Sequence, residues 1–288
     1  MISPQKPASS TEVASHYDDL DWFYRDTWGE EFHHGLWEKG GRTTGEAISH
    51  LRKTIADAAG ASRGAHVCDI GCGSGAAALR WSSCRGWRMT GFTVSRKQHE
   101  AAWESASLLE KSAPQPEFLL RDWLKNEMED ACFDAAVSIE CLSHVSDKSA
   151  FFREIERTLK PGGRLSLSAW IAGRKISSRA QRLLLEPICE GGRFPSLLNA
   201  EELRFETASA GLVVENLDEV GSKVKKTWRV ILWRLFVRLF TRSEYRKFLI
   251  GDARSGWLRT LTVLRVWIAF ELGTLDYAIV SARKEELQ

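Results

Sequence analysis

The run Val67-Cys68-Asp69-Ile70-Gly71-Cys72-Gly73-Ser74-Gly75 constrains the fold more than any other stretch. Its first four residues, apolar except for Asp69, read as a short buried strand. Three glycines at alternate positions then make a turn, and a helix begins near Ala76. An acid in a buried strand is costly unless it is paired, so Asp69 requires a partner. Gly71, Gly73 and Gly75 let a ligand approach the backbone and permit dihedrals that other residues resist. A strand, a glycine turn and a helix N-terminus make a nucleotide-sized site at the edge of a parallel sheet. The spacing is G-x-G-x-G with the acid two residues ahead, not the G-x-G-x-x-G of dinucleotide sites.

The rest of the composition narrows the class. A chain of 288 residues suits one α/β domain with an insertion. A net charge of only +2 provides no global field for nucleic acid. None of the six cysteines forms a Cys-x-x-Cys pair, and two lie inside the glycine motif. Reduced thiols in a cytoplasmic protein, with no metal site, are therefore expected. The opening Met-Ile-Ser-Pro-Gln-Lys-Pro has no apolar region typical of a secretory signal, and no run reaches the roughly 18 uninterrupted apolar residues of a membrane span. Twelve tryptophans are many for this length and suggest aromatic surfaces to be covered, or a pocket for a lipophilic ligand.

Residues 1–15 are rich in Pro, Ser and Thr and read as loose. A dense aromatic and histidine segment follows: His16-Tyr17-Asp18, Phe23-Tyr24-Arg25, Trp28-Gly29 and His33-His34-Gly35-Leu36-Trp37. It reads either as a helix pair packing its rings on the core or as a flap over a ligand. Apolar spacing predicts a helix over 44–59, and Lys97-Gln98 opens another that runs to about 111. Strands are predicted at 67–70, 87–94, 116–121, 133–140, 164–170, 212–220 and 275–282, with 171–195 of mixed character. Ligands of open α/β sheets lie beyond the carboxyl ends of the strands. Thr93, Asp122, Trp123, Glu140 and His144 lie there or just after. Asp122 reads as an acceptor for an adenine amine, with Trp123 stacking on the ring, or simply as a helix cap. Glu140 and His144 are the best-placed titratable pair, with a structural role for His144 equally open.

Residues 221–270 form an insertion with twelve Lys/Arg against two acids, Glu244 and Asp252, and with Trp228, Trp233, Trp257 and Trp267. Arg234, Arg238 and Arg242 recur every fourth residue and form one stripe of a helix whose other faces are apolar. The insertion reads as a cap over a greasy acceptor with solvated arginines. Peripheral docking on an anionic membrane is compatible with that, and nucleic-acid binding ranks below both.

Val-Cys-Asp-Ile-Gly-Cys-Gly-Ser-Gly resembles the first motif of class I S-adenosylmethionine-dependent methyltransferases, and Lys160-Pro161-Gly162-Gly163 is similar to another of their features. The resemblance implies that Asp69 supports the loop and the amino-acid moiety, and that Gly71, Cys72 and Gly73 line the cofactor. The His-Tyr-Asp … Trp-Gly … His-His-Gly-Leu-Trp pattern resembles the entry segment of tocopherol methyltransferases. Sterol C-methyltransferases and cyclopropane fatty acid synthases share its first part. This implies that Tyr17 reaches the cofactor. Gly91-Phe92-Thr93-Val94-Ser95 with Gln98 resembles the same group and implies that Thr93 and Gln98 serve the cofactor, where many class I enzymes carry an acid. Ser138–His144 resembles the acceptor-facing loop. Ser143 stands where those relatives carry a glutamate, which argues against a cyclopropane synthase and leaves His144 as the main base candidate beside Glu140. His34, Trp37 and Trp170 are expected to line the acceptor site.

The expected fold is a Rossmann-like α/β class I methyltransferase fold: a seven-stranded, mostly parallel sheet with helices on both faces and a helical cap before the last strand. The expected division is a helical flap over 1–60, a cofactor-binding core over 61–220 and 274–288, and a cap over 221–273. The expected function is methyl transfer from S-adenosyl-L-methionine to a small lipophilic acceptor (a prenylated aromatic, terpenoid or polycyclic compound), with C-methylation ahead of O-methylation. A non-catalytic cofactor-binding protein is the other class of reading.

Overall fold

The computed structural model describes residues 1–4, 6–37, 43–110, 112–174, 176–248 and 255–286, with only the backbone of 255–259. The expectations for Asp252, Arg254, Trp257 and Arg259 fall on residues or side chains outside the described part.

Seven strands form one sheet in the order β3-β2-β1-β4-β5-β7-β6. They are β1 His66–Ile70, β2 Arg88–Thr93, β3 Glu117–Leu120, β4 Phe133–Ile139, β5 Leu159–Ala172, β6 Leu212–Glu219 and β7 Leu275–Lys284. β7 runs antiparallel to both its neighbours, β5 and β6, and the pairs from β3 through β5 are parallel. The chain runs outward from β1 to β3, then returns to β4 on the other side of β1. Such a reversal opens a crevice at the carboxyl ends of the strands. Helices α1 Ser10–Trp28, α2 Thr44–Ala59, α3 Ala76–Arg85, α4 Arg96–Ser107 and α5 Lys148–Thr158 belong to the first two thirds of the chain. The strands at the centre are apolar on both faces, as a doubly covered sheet requires: Val67, Cys68, Ala135, Ala136, Val137, Leu165 and Leu167 have no exposed surface.

Four expectations need correction. Residues 10–15 are not loose: they open α1, where Ser9 and Glu12 form a reciprocal capping box, a Ser-x-x-Glu signal that the Pro/Ser/Thr-rich composition masked. The aromatic segment is one helix, not a pair. The stretch after β5 is largely helical, with α6 Ser178–Ala180, a π turn Gln181–Leu185 and α7 Glu186–Gly192. After α8 Ala200–Ser209 and β6, the insertion contributes α9 Gly221–Val224, α10 Lys226–Thr241, α11 Ser243–Arg246 and α12 Ser255–Glu271.

The fourth correction concerns the arginine stripe of α10, which is paired along the end of α1 rather than lying free in solvent. Arg238 and Arg242 bond the Asp26 carboxylate at 2.5 and 3.0 Å, the Tyr245 hydroxyl donates to it at 2.6 Å, and Arg234 donates to the Thr27 carbonyl at 2.7 Å. Cations placed against the carbonyl end of α1 suit its dipole. Trp228, Ile231 and Leu235 of the same helix are buried, whereas Trp233, Phe236 and Phe240 are 65, 53 and 72% exposed. The cap and the first helix are thus tied by charge as well as by aromatic contacts such as Trp28–Trp228 and Phe23–Tyr245.

Candidate active site

Three structural devices close the carboxyl end of the sheet. The first is the glycine turn. Gly71 (φ +77°) and Gly73 (φ +56°) take the left-handed conformation, and a Cβ on Gly71 would strike Cys141, with its Sγ only 2.6 Å away. A Cβ on Gly73 would meet nothing nearer than the Gln98 amide nitrogen at 3.9 Å, so this glycine faces open space. The second is α1, which lies across the sheet edge. Asp18 accepts from the Ser95 hydroxyl (2.5 Å) and the Lys97 amide (3.2 Å), holding α1 on the start of α4. The third is the extended segment before α2. Ser74 Oγ donates to the Glu30 carbonyl (3.0 Å), Arg52 pairs with Glu31, and His34 bonds Glu140.

Between these devices lies a cavity of about 180 Å³ whose wall includes Asp69, Gly71, Gly73, Thr93, Gln98 and Asp122. Cys72 and Trp123 also border it. Asp69 is 2% exposed and its Oδ2 has no hydrogen-bond partner. Burial pushes its carboxyl up to about 7, while the nearby His33 works against that rise. A buried, partnerless carboxylate oxygen in a cavity fits a cationic group of a ligand. Thr93 Oγ1 donates to Gln98 Oε1 at 3.1 Å. Asp122 Oδ1 caps the 3₁₀ turn Trp123–Lys125 by accepting from the Leu124 amide, and the residue also borders the cavity. The Trp123 indole is 3% exposed, donates to the Phe151 carbonyl and meets Phe92 edge-on.

A second cavity, of about 540 Å³, opens beside the first. One part of its wall is aromatic, with Tyr24, Trp28, Trp170, Phe194 and Trp228 beside His34 and His144, and charged residues such as Glu12, Asp19, Glu190, Arg193 and Arg265 also line it. Its size and aromatic part match a drug-sized apolar ligand. Tyr17, Glu140 and His144 border both cavities and form the partition between them. Trp37 is in neither: its indole donates to Thr227 Oγ1 at 2.9 Å, and its ring lies under the Lys226 ammonium, so it fastens the segment before α2 to the cap.

The partition has a defined charge state. Glu140 sits just past β4 in a left-handed conformation (φ +63°). Its Oε1 accepts from the His34 amide (2.7 Å), His34 Nδ1 (2.8 Å) and the Tyr277 hydroxyl (2.9 Å), and its Oε2 from the Trp170 indole (2.9 Å). Burial alone would raise this carboxyl; the contacts with His34 and the charge of His33 outweigh it and hold Glu140 at about 2. An indole N–H can only donate, so Trp228 gives its proton to His34 Nε2 (2.7 Å), and Nδ1 carries the proton shared with Glu140.

His144 is the opposite case. Burial, with His16 beside it, drives its imidazole down to about 3, so it is neutral at ordinary pH. A carbonyl can only accept, so Nδ1 donates to the Arg193 carbonyl (3.3 Å) and Nε2 keeps its lone pair. The Tyr17 hydroxyl donates to that lone pair at 2.9 Å.

Sequence reasoning missed Glu31, His33, Tyr277 and Lys148. His33 donates through both nitrogens, to the His34 carbonyl (2.8 Å) and to Glu31 (3.1 Å), and Glu31 holds its pKa up against burial. The His33-His34 doublet was visible, but its extended backbone was not. Tyr277 comes from the last strand, more than a hundred residues from Glu140, and carries no local signal.

A methyltransferase-domain family model matches residues 68–167, the span from β1 into β5. The chain is 28% identical over 222 residues to 27-O-demethylrifamycin SV methyltransferase of Amycolatopsis mediterranei, covering 75% of this chain and 79% of that one. It is 32% identical over 162 residues to the O-methyltransferase rstn1 of Aspergillus nomiae, covering 56% and 72%. Among solved structures, the [4+2]-cyclase SpnF superposes over 100% of both chains with a TM-score of 0.81 and 25% identity. With the glycine turn, the seven-stranded sheet and the adjoining cavities, these likenesses make the protein an enzyme that uses S-adenosylmethionine. The chain belongs to the class I S-adenosylmethionine-dependent methyltransferases, in the group that includes tocopherol and sterol methyltransferases and cyclopropane synthases.

Proposed function

We propose that this enzyme methylates a hydroxyl group of a lipophilic natural-product-type small molecule held in the aromatic cavity. The observation that carries the reading is the neutral His144, whose Nε2 lone pair lies in the partition between the two cavities. The O-methyltransferases among its relatives support oxygen over the carbon acceptor that the sequence favoured.

S-adenosylmethionine supplies an already activated methyl group when bound. The residues then have three tasks. Asp69 holds the ammonium of the donor's amino-acid moiety, with Gly71 and Gly73 giving backbone access and Thr93, Gln98 and Asp122 bordering the remainder. Trp170, Phe194 and Trp228 hold the acceptor and exclude water. His144 Nε2 takes the hydroxyl proton as the oxygen attacks, with Tyr17 keeping the imidazole aimed until the acceptor arrives. Glu140 is fully hydrogen-bonded, so it organises His34 and Trp170 rather than acting as a base.

The test is transfer of radiolabelled methyl from the donor into a panel of hydroxylated polyketides, phenols and their O-methylated counterparts. Free hydroxyls should be labelled and blocked ones should not; equal labelling of both would move the reaction to carbon. The donor site makes a separate prediction. Asp69, raised to about 7, must be ionised to hold a cation, so binding S-adenosylhomocysteine should release a proton below that pH. Affinity should fall by about tenfold per pH unit below 7. Calorimetry in buffers of different ionisation enthalpy reads the proton directly, and Asp69→Asn should abolish the release.

A further inference from the structure

Lys148 is the first residue of α5, a position where the helix dipole disfavours a cation. Its side chain is nonetheless driven into the protein, leaving the residue 3% exposed. Among the described residues no carboxylate pairs with it. Its ammonium donates instead to three carbonyls, those of Leu142 (2.7 Å), Ser143 (3.3 Å) and Val145 (2.7 Å). These three belong to one short turn, the 3₁₀ element Leu142–His144 and the residue after it. Carbonyl dipoles converging on one point repel one another and stay together only around a cation or a multiple donor. An ammonium has three protons, and here each has its own carbonyl. The residue enclosed between these carbonyls is His144.

We propose that Lys148 is a positioning residue: its buried ammonium gathers the carbonyls of Leu142, Ser143 and Val145 and so fixes the His144 imidazole between Tyr17 and the Arg193 carbonyl, in the partition between the donor and acceptor cavities. The proposal rests on His144 acting as the base. An apolar side chain of similar length would fill the same space at lower desolvation cost, so packing alone does not account for a lysine here. The groups that bear on the ammonium are the Cys141 and Cys189 thiols and the His144 imidazole. Burial holds both thiols at about 12, so all three neighbours are neutral and none supplies a counter-charge. Burial accordingly lowers Lys148 to about 7. A neutral amine has two protons for three carbonyls, so the clamp loosens as pH rises through that value.

The test uses the full chain labelled with ¹⁵N-histidine and saturated with S-adenosylhomocysteine. Signals that vanish in His144→Ala assign that ring, and long-range ¹H–¹⁵N spectra report its tautomer. The wild-type chain should show a single Nδ1–H form near pH 6. Lys148→Met should show mixed or broadened His144 signals, and turnover of the panel's fastest acceptor should fall about tenfold or more, with product affinity changed by less than about threefold. Lys148→Arg, which keeps the charge and donors, should restore the single tautomer. Unaltered His144 signals in Lys148→Met, or equal behaviour of the two variants, would overturn the proposal. If the methionine variant does not fold, the wild-type chain decides. Its His144 signals should change as pH passes about 7, and constant signals from about pH 6 to about 9 would overturn the clamp. These spectra are independent of catalysis. If His144→Ala turns over normally, the base assignment fails while the clamp is still judged on its own signals.

Discussion

Replacing His144 with alanine should lower turnover by about 10²–10⁴-fold, the span that a positioned general base contributes. Affinity for S-adenosylhomocysteine should stay within a few-fold, because His144 borders the donor cavity without filling it. The reasoning is geometric first. The Nε2 lone pair is the one unprotonated imidazole nitrogen aimed at the partition, and its proton-bearing partner, Tyr17, is itself a neutral hydroxyl. Burial raises Tyr17 well above the usual phenol range, so it does not compete as a base. Between about pH 5 and 8 the imidazole stays neutral, so its own titration should leave no acid limb in the rate profile. Steady-state rates with calorimetric affinities check this. A variant that loses both turnover and product affinity in proportion would reassign His144 to donor binding.

Replacing Glu140 with alanine should have the largest effect on the fold itself. Four donors, from His34, Tyr277 and Trp170, would lose their acceptor inside the protein. Each buried unsatisfied donor costs about 1–3 kcal/mol, and partial rescue by water or by Ser168, which already bonds Tyr277, leaves about 3–5 kcal/mol in all. A melting temperature lower by about 10 °C follows for a chain of this size. The pH dependence gives a second route to a similar figure. Glu140 moves from an ordinary 4.5 down to about 2 on folding, a depressed carboxylate. Its contribution, about 3 kcal/mol, is therefore present above pH 4.5 and lost as the pH falls towards 2. Thermal unfolding of wild type and variant across that window should converge at the acid end. A constant difference between them would mean that the charge is not what stabilises the partition.

Much of the donor side was legible in sequence because it is built from short-range signals. Glycines at fixed offsets, an acid within a strand, and residues just past strand ends need only a turn and an alternation to be placed. The acceptor side was less legible because its geometry depends on what distant elements present. The period of α10 announced a basic stripe, but what that stripe meets is decided by Asp26 and the carbonyl end of α1, some two hundred residues earlier. Trp37 looked like a ligand-facing ring until Thr227, across the cap, took its indole proton. Lys148 carries no signal in sequence, since nothing local announces that three carbonyls will turn toward it.

The narrow partition of Tyr17, Glu140 and His144 has a stereochemical consequence. Tyr17 is a neutral phenol, Glu140 has both oxygens engaged, and the His144 Nε2 lone pair is taken by the Tyr17 hydroxyl. The thiols in and beside the glycine turn, Cys72 and Cys141, are both raised by burial, Cys141 to about 12, and stay protonated. Under the proposed direct transfer from donor to acceptor the one-carbon unit crosses in one in-line displacement, and a methyl made chiral with three hydrogen isotopes should arrive with its handedness inverted; retention would place a relay on one of these side chains.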